Sequence, residues 1–219
     1  MSEKTHAGIP LSFFEYRATY QEPFFAFHKL YQDVCQTVFR SLRPWNISLE
    51  AVSLKLNPVN FGEVQASFTL FGGRLAFNVG LGASVLVVKD PNWSEAELIT
   101  NIAKAGMNAV ISSTGVTVEK QKASIAMHVK PDLGSAKDFV LGFARVGASE
   151  LLGSSFKAYG ISVYKDDTTW VVDASASYTD ALFIRIDHVS GAEANFEKIA
   201  SKLRDDESKI LDLLRLEVD

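Results

Sequence analysis

A chain of 219 residues, 47% hydrophobic and 22% charged, has the composition of a folded globular protein with a sizeable buried core, not of a disordered one. Its net charge of −4 argues against a surface built to track nucleic-acid phosphates, which needs clustered Lys and Arg. The single cysteine, Cys35, rules out an intrachain disulfide, points to a reducing compartment, and is expected to be a buried, inert thiol.

No stretch approaches the roughly 20 apolar residues that span a bilayer. The opening MSEKTHAGIPLSFFEYR has no long apolar run after its charges, so it is not read as a secretory signal. A cytoplasmic protein with neither nucleic acid nor membrane as partner is the expectation. The glycosylation-like patterns at Asn46 and Asn92 are then chance matches. Fifteen phenylalanines predict an aromatic-rich core.

Residues 1–22 read as a polar and aromatic lead-in without clear periodicity. The N-terminal aromatic string Phe13, Phe14, Tyr16, Tyr20, Phe24, Phe25 and Phe27 is expected to wrap the sheet of its own chain. Pro23 opens a helical pattern in which Phe27, Tyr31, Val34 and Val38 share a face, ending near Leu42 before Pro44. These elements make up an N-terminal arm and helix, 1–45.

Four strand-like segments follow. Val52, Leu54 and Leu56 alternate with polar residues, as do Ala66, Phe68 and Leu70, and then Leu75, Phe77, Val79 and Leu81; SVLVVKD is apolar on both faces. Gly72-Gly73 signals a hairpin. Ser94 with Glu97 matches a capping box before a helix in which Ala103 and Gly106 allow a close approach to a sheet. This is the first half, 46–114.

The second half, 115–219, repeats the plan. GVTVEKQKASIAMHVKP predicts a long strand or a hairpin, and alternation predicts strands around Ile161, Trp170 to Ala174, and Leu182 to Ile186. Ser190 and Glu193 offer a second capping box before a C-terminal helix carrying Phe196, Ile199, Leu203, Ile210 and Leu214. The fold class is therefore α+β: antiparallel sheet from two β-β-β-β-α halves, with an N-terminal helix and the helices covering one face. The two sheets are expected to join edge to edge or to face each other in one compact domain.

Signatures of chemistry are sparse. His6, His28, His128 and His188 show no metal-ligand spacing, and neither a G-x-S-x-G elbow nor a phosphate-binding glycine loop is present. No cofactor or metal is expected. Asp173, Asp180 and Asp187 fall along consecutive strands and could converge as a catalytic or metal-binding acidic group, and the neighbourhood of Asp173, Asp180 and His188 is the one considered for an enzyme. The second half alone carries an apolar insertion, 132–155. There Phe139, Val140, Leu141, Phe143, Val146, Leu151 and Leu152 are either tucked onto the core or present a partner surface.

Taken together, these patterns predict a non-enzymatic interaction or assembly protein, associating with itself or with apolar segments of another protein. The order of four antiparallel strands then a helix resembles that of SecB-type export chaperones, which implies binding of unfolded apolar segments; the likeness is one of element order alone. The alternative is a START-like binder of a small apolar ligand, with small residues at Gly80, Gly82, Ala174 and Ala176 leaving room under a helix.

Overall fold

Alternation of apolar and polar side chains, with a period of two, shapes most of this molecule. The computed structural model describes residues 4–57, 59–60, 63–132, 134–136, 138–140, 160–193 and 196–218. In chain order they form β1 (Thr5–Tyr20), α1 (Phe27–Leu42), β2 (Val52–Lys55), β3 (Gln65–Leu70), β4 (Leu75–Gly80), β5 (Ala83–Lys89) and α2 (Ala96–Thr114). Then come β6 (Val118–Pro131), β7 (Gly160–Lys165), β8 (Thr168–Ala174), β9 (Leu182–Gly191), α3 (Phe196–Leu213) and β10 (Leu216–Val218). The fold class is α+β.

The strands make one ten-stranded sheet in the order β2-β3-β4-β5-β1-β6-β9-β8-β7, with β10 beside β1. The pairs β2–β3, β3–β4, β4–β5, β7–β8 and β8–β9 are antiparallel, whereas β1 and β10 are parallel, Thr5 opposite Leu216. Both halves keep the expected order of four strands then a helix. The lead-in is itself a strand of 16 residues, where no periodicity was expected. Phe14, Tyr16, Ala18 and Tyr20 are buried, alternating with Glu15, Arg17 and Thr19. The alternation is there in the chain, but Gly8, Pro10 and the small Ala18 weaken it.

The chain divides into two compact units. The second gathers Phe14–Ala123 and Val189–Ala200; the first gathers Met1–Phe13, Ser124–His188 and Ser201–Asp219. In the second unit the core is aromatic, with Phe27, Phe68 and Phe77 fully buried alongside Leu86 and Ile102. Each such burial stabilises by roughly 1.5–3 kcal/mol. Helices α1 and α2 pack on each other, and α2 lies on β4. The close approach is at Gly106, where an added Cβ would sit 2.7 Å from the Phe77 ring. In the first unit the described core is aliphatic and sulfur-bearing: Met127, Leu182, Ile184, Ile186, Leu203 and Leu216.

The turn chemistry departs from expectation at both helix starts. Glu95 stands at the N-cap of α2 and makes no side-chain capping bond, while the Asn92 side chain accepts from the Ser94 backbone N–H at 2.9 Å. Asn92 thus caps a short 3-10 turn, Trp93–Glu95, that leads into the helix. Ser190 lies inside β9, so it cannot cap α3. The β3–β4 connection uses Gly72 and Gly73 at positive φ, as the hairpin signal predicted. Beside it, Arg74 donates to Glu95 Oε1 at 2.9 Å, to Glu95 Oε2, and to the Lys89 and Asp90 carbonyls. That single guanidinium ties the hairpin to the start of α2, and its hydrogen bonds hold the Glu95 carboxyl below its ordinary pKa.

Candidate functional site

Of the residues proposed as a partner surface, two are described. Val140 is fully buried and Phe139 is half-buried, its ring close to Gly134. The Asp138 N–H donates to Ser135 Oγ at 3.2 Å, and that hydroxyl donates to Asp138 Oδ2 at 2.7 Å, which starts a helical turn. Leu141, Phe143, Val146, Leu151 and Leu152 lie outside the described residues.

Asp173, Asp180 and His188 do not meet. His188 is paired with Thr168 at one end of the β8–β9 ladder, while Asp173 is paired with Phe183. Five residues of strand between those rungs amount to about 17 Å. Asp173 accepts its neighbour's backbone N–H from Ala174, and Asp180 occupies a positive-φ turn.

His188 has other company, which no spacing in the sequence announced. Its ring is buried, with 2% of the side chain exposed, and its Nδ1 lies 3.3 Å from Asp167 Oδ2. Its Nε2 lies 3.0 Å from Thr168 Oγ1 and 3.8 Å from Asp206 Oδ2. Asp206 comes from α3 and is itself buried; its Oδ1 accepts from Lys209 at 3.3 Å, and its Oδ2 has no hydrogen-bond partner. Lys202, also on α3, donates to Asp167 Oδ1 at 2.9 Å. Burial, helped by the Lys202 charge, pushes the His188 pKa below its ordinary value against the opposing pull of Asp167 and Asp206. Asp167 is held below the usual carboxylate range: burial opposes this, but its bonds from Lys202 and Thr168 prevail.

A second histidine, His128, sits on the other kind of surface. Its Nδ1 lies 2.8 Å from Ser175 Oγ, and its ring leans on Tyr178 and Phe183 with centroids 4.9 and 5.3 Å away. Ser175 Oγ accepts the backbone N–H groups of Ser177 and Tyr178, so its own proton goes to the imidazole. A serine beside a histidine is the first requirement of a nucleophile and base. Here the hydroxyl oxygen is committed to a turn, and burial lowers the His128 pKa. The arrangement pins the 175–181 turn to β6.

The second unit carries a hollow of about 360 Å³ bordered by Arg17, Thr19, Gln65, Asn78, Gly80 and Gly82. Those strand positions alternate with buried Ala18, Ala66, Phe77 and Val79, so the hollow lies on the sheet face opposite the one that α2 covers. Under α2 the space is filled by Phe77. Ala174 is half-buried and Ala176 exposed.

Cys35 is half-buried, and burial pushes its thiol pKa up, which suits an unreactive residue. Among the described residues no group of three or more His, Cys, Asp and Glu is arranged to hold a metal ion. No helix among them is long and apolar enough to cross a membrane. No family model matches the sequence, and no curated protein matches it.

Proposed function

We propose that this is a non-enzymatic assembly protein of the cytoplasm that associates through a sheet edge, the first occupant being a second copy of the chain. The observation that carries the reading is strand β7. Five of its six residues are exposed, Val163 at 52% and Tyr164 at 75%, and among the described residues it pairs with β8 alone. An edge with unpaired N–H and C=O groups and apolar side chains is a template for one more strand. Its single charge, Lys165, suits self-pairing: in an antiparallel dimer centred on Val163, Lys165 falls opposite Ile161, so like charges do not meet. At the far edge, Leu54 of β2 is also exposed, which supplies a second, shorter template.

Size-exclusion chromatography with light scattering tests the reading. The expected result is a dimer or larger species that Val163→Lys or Ser162→Pro converts to a folded monomer. A native protein that stays monomeric over the micromolar range, or a dimer indifferent to both substitutions, refutes it.

The hollow beside Gly80 and Gly82 favours a second reading, a binder of a small ligand. Its lining mixes Arg17, Gln65 and Asn78 with apolar residues, which favours a polar ligand over the lipid expected of a START-like binder. Native mass spectrometry of the freshly purified protein tests it, and a spectrum free of any bound small molecule counts against it.

A further inference from the structure

The group around His188 brings titratable side chains of the β8–β9 ladder against the C-terminal helix. Its members come from three places in the first unit: Asp167 and Thr168 at the start of β8, His188 on β9, and Lys202, Asp206 and Lys209 on α3. With His188 neutral, the charges of the four other ionised groups cancel, because Lys202 is on Asp167 and Lys209 is on Asp206. One proton on Nδ1 is donated to Asp167, and the Thr168 hydroxyl, 3.0 Å from Asp167 Oδ1 and 3.0 Å from Nε2, shares its single proton between the two. That tautomer agrees with an Asp206 Oδ2 that receives no hydrogen bond. A second proton would sit on Nε2, 3.8 Å from Asp206 Oδ2, beyond hydrogen-bond reach, and each carboxylate is already paired with a lysine through its other oxygen. It creates a positive charge on a ring with 2% of its side chain exposed, between carboxylates already matched by lysines.

Among the described residues, the charges that act on the ring are those of Lys202, Asp167 and Asp206. Arg185 and Asp187 of β9 alternate with Ile186 and His188 and bind each other at 2.9 Å. The buried residues of β6 in this unit, Ser124, Ile125, Met127, Val129 and Pro131, are uncharged. Asp166 occupies the β7–β8 turn at positive φ.

We propose that Asp167, His188 and Asp206 form a proton-sensitive latch that holds α3 against β8 and β9 at neutral pH and releases it in mild acid. Release carries β10 with it, since β10 follows α3 directly and pairs with β1 at Thr5 to Ala7. The latch is independent of how β7 is used.

The sign follows from the preference of each state for the proton. The docked form disfavours a charged His188, whereas the undocked form hydrates it and binds a proton with the ordinary histidine pKa of about 6.5. Docking is therefore fully supported above that value and weakens as pH falls below it. One proton shifts the equilibrium by at most about tenfold per pH unit, so pH 7.5 to 5.5 gives up to about tenfold.

Hydrogen exchange of the whole chain, read by mass spectrometry and corrected for intrinsic rates, tests the latch at those two values. The expected result is up to tenfold faster exchange in α3 and β10 at pH 5.5, little change in β3 to β5, and loss of the effect in His188→Gln. NMR titration of the native protein provides a readout that needs no variant: His188 is expected to titrate below the ordinary histidine value. Titration of His188 at or above that value, uniform acceleration across the chain, or the same acceleration in His188→Gln each overturn the proposal.

Discussion

The contact between Gly106 and Phe77 gives the sharpest test of how α2 is seated. An alanine at 106 would place its Cβ 2.7–2.9 Å from three atoms of the Phe77 ring, which is fully buried and has no room to retreat. Overpacking of this kind costs about 1–3 kcal/mol. The helix itself gains about 1 kcal/mol when glycine becomes alanine. The net expectation for Gly106→Ala is a loss of about 0–2 kcal/mol, at roughly 2–4 °C of melting temperature per kcal/mol in a chain of this size. Gly106→Leu should be far worse. The cycle with Phe77→Leu isolates the cause, since a smaller, more flexible side chain at 77 makes room for the new methyl. Thermal unfolding followed by circular dichroism supplies all four corners. A coupling of about 1 kcal/mol or more, with the double variant more stable than the sum of the singles, is the expected result. A stabilised Gly106→Ala variant, or additive effects, would refute the close approach of helix and sheet.

Two further tests address the second unit. Asn92→Ala should cost about 1 kcal/mol by removing the acceptor of the Ser94 N–H, and Ser94→Ala should cost little, since the Ser94 hydroxyl caps nothing; urea unfolding distinguishes them, and the reverse order would restore the capping box. Burial raises the Tyr16 phenol to about 12, and Tyr20 likewise, its bond to Ser84 opposing the shift. Protonated phenols are thus favoured in the fold, so their contribution is complete below pH 10 and lost as pH rises through about 12. Absorbance titration should find Tyr16 and Tyr20 ionising late among the described tyrosines, and Tyr16→Phe should remove one late step, while costing about 1–3 kcal/mol by stranding the Gln121 Oε1 that accepts from Tyr16 at 2.5 Å.

Most of the sheet was legible because a half-buried strand writes its burial into every second residue. Phe68 and Phe77 each sit where alternation placed them, facing inwards in paired antiparallel strands, whereas SVLVVKD, apolar on both faces in the sequence, turns Leu86 and Val88 inwards. Where the alternation is diluted, as by Gly8, Pro10 and Ala18 in β1, the strand passed for a tail. That omission had a large effect, because β1 is the strand between β5 and β6 in the sheet order. Capping boxes misled for a different reason. The S-x-x-E pattern occurs at Ser94 and at Ser190, yet a strand or an asparagine two residues earlier had the stronger claim on the same backbone.

The cluster at His188 was illegible in a deeper sense. Metal sites and catalytic dyads on one element leave regular spacings, but Asp167, His188 and Asp206 come from a turn, a strand and a helix. What joins them is the antiparallel β8–β9 ladder, which sets Thr168 opposite His188, and the return of α3 over that ladder. The one local hint was a histidine at an inward position of the strand Leu182, Ile184, Ile186, His188. An inward polar residue in an otherwise apolar series has to find partners or forfeit several kcal/mol. Following that series two residues beyond its last isoleucine would have placed His188 in the core. It would not have named the carboxylates, because the turn and the helix that supply them are brought together only by the completed fold.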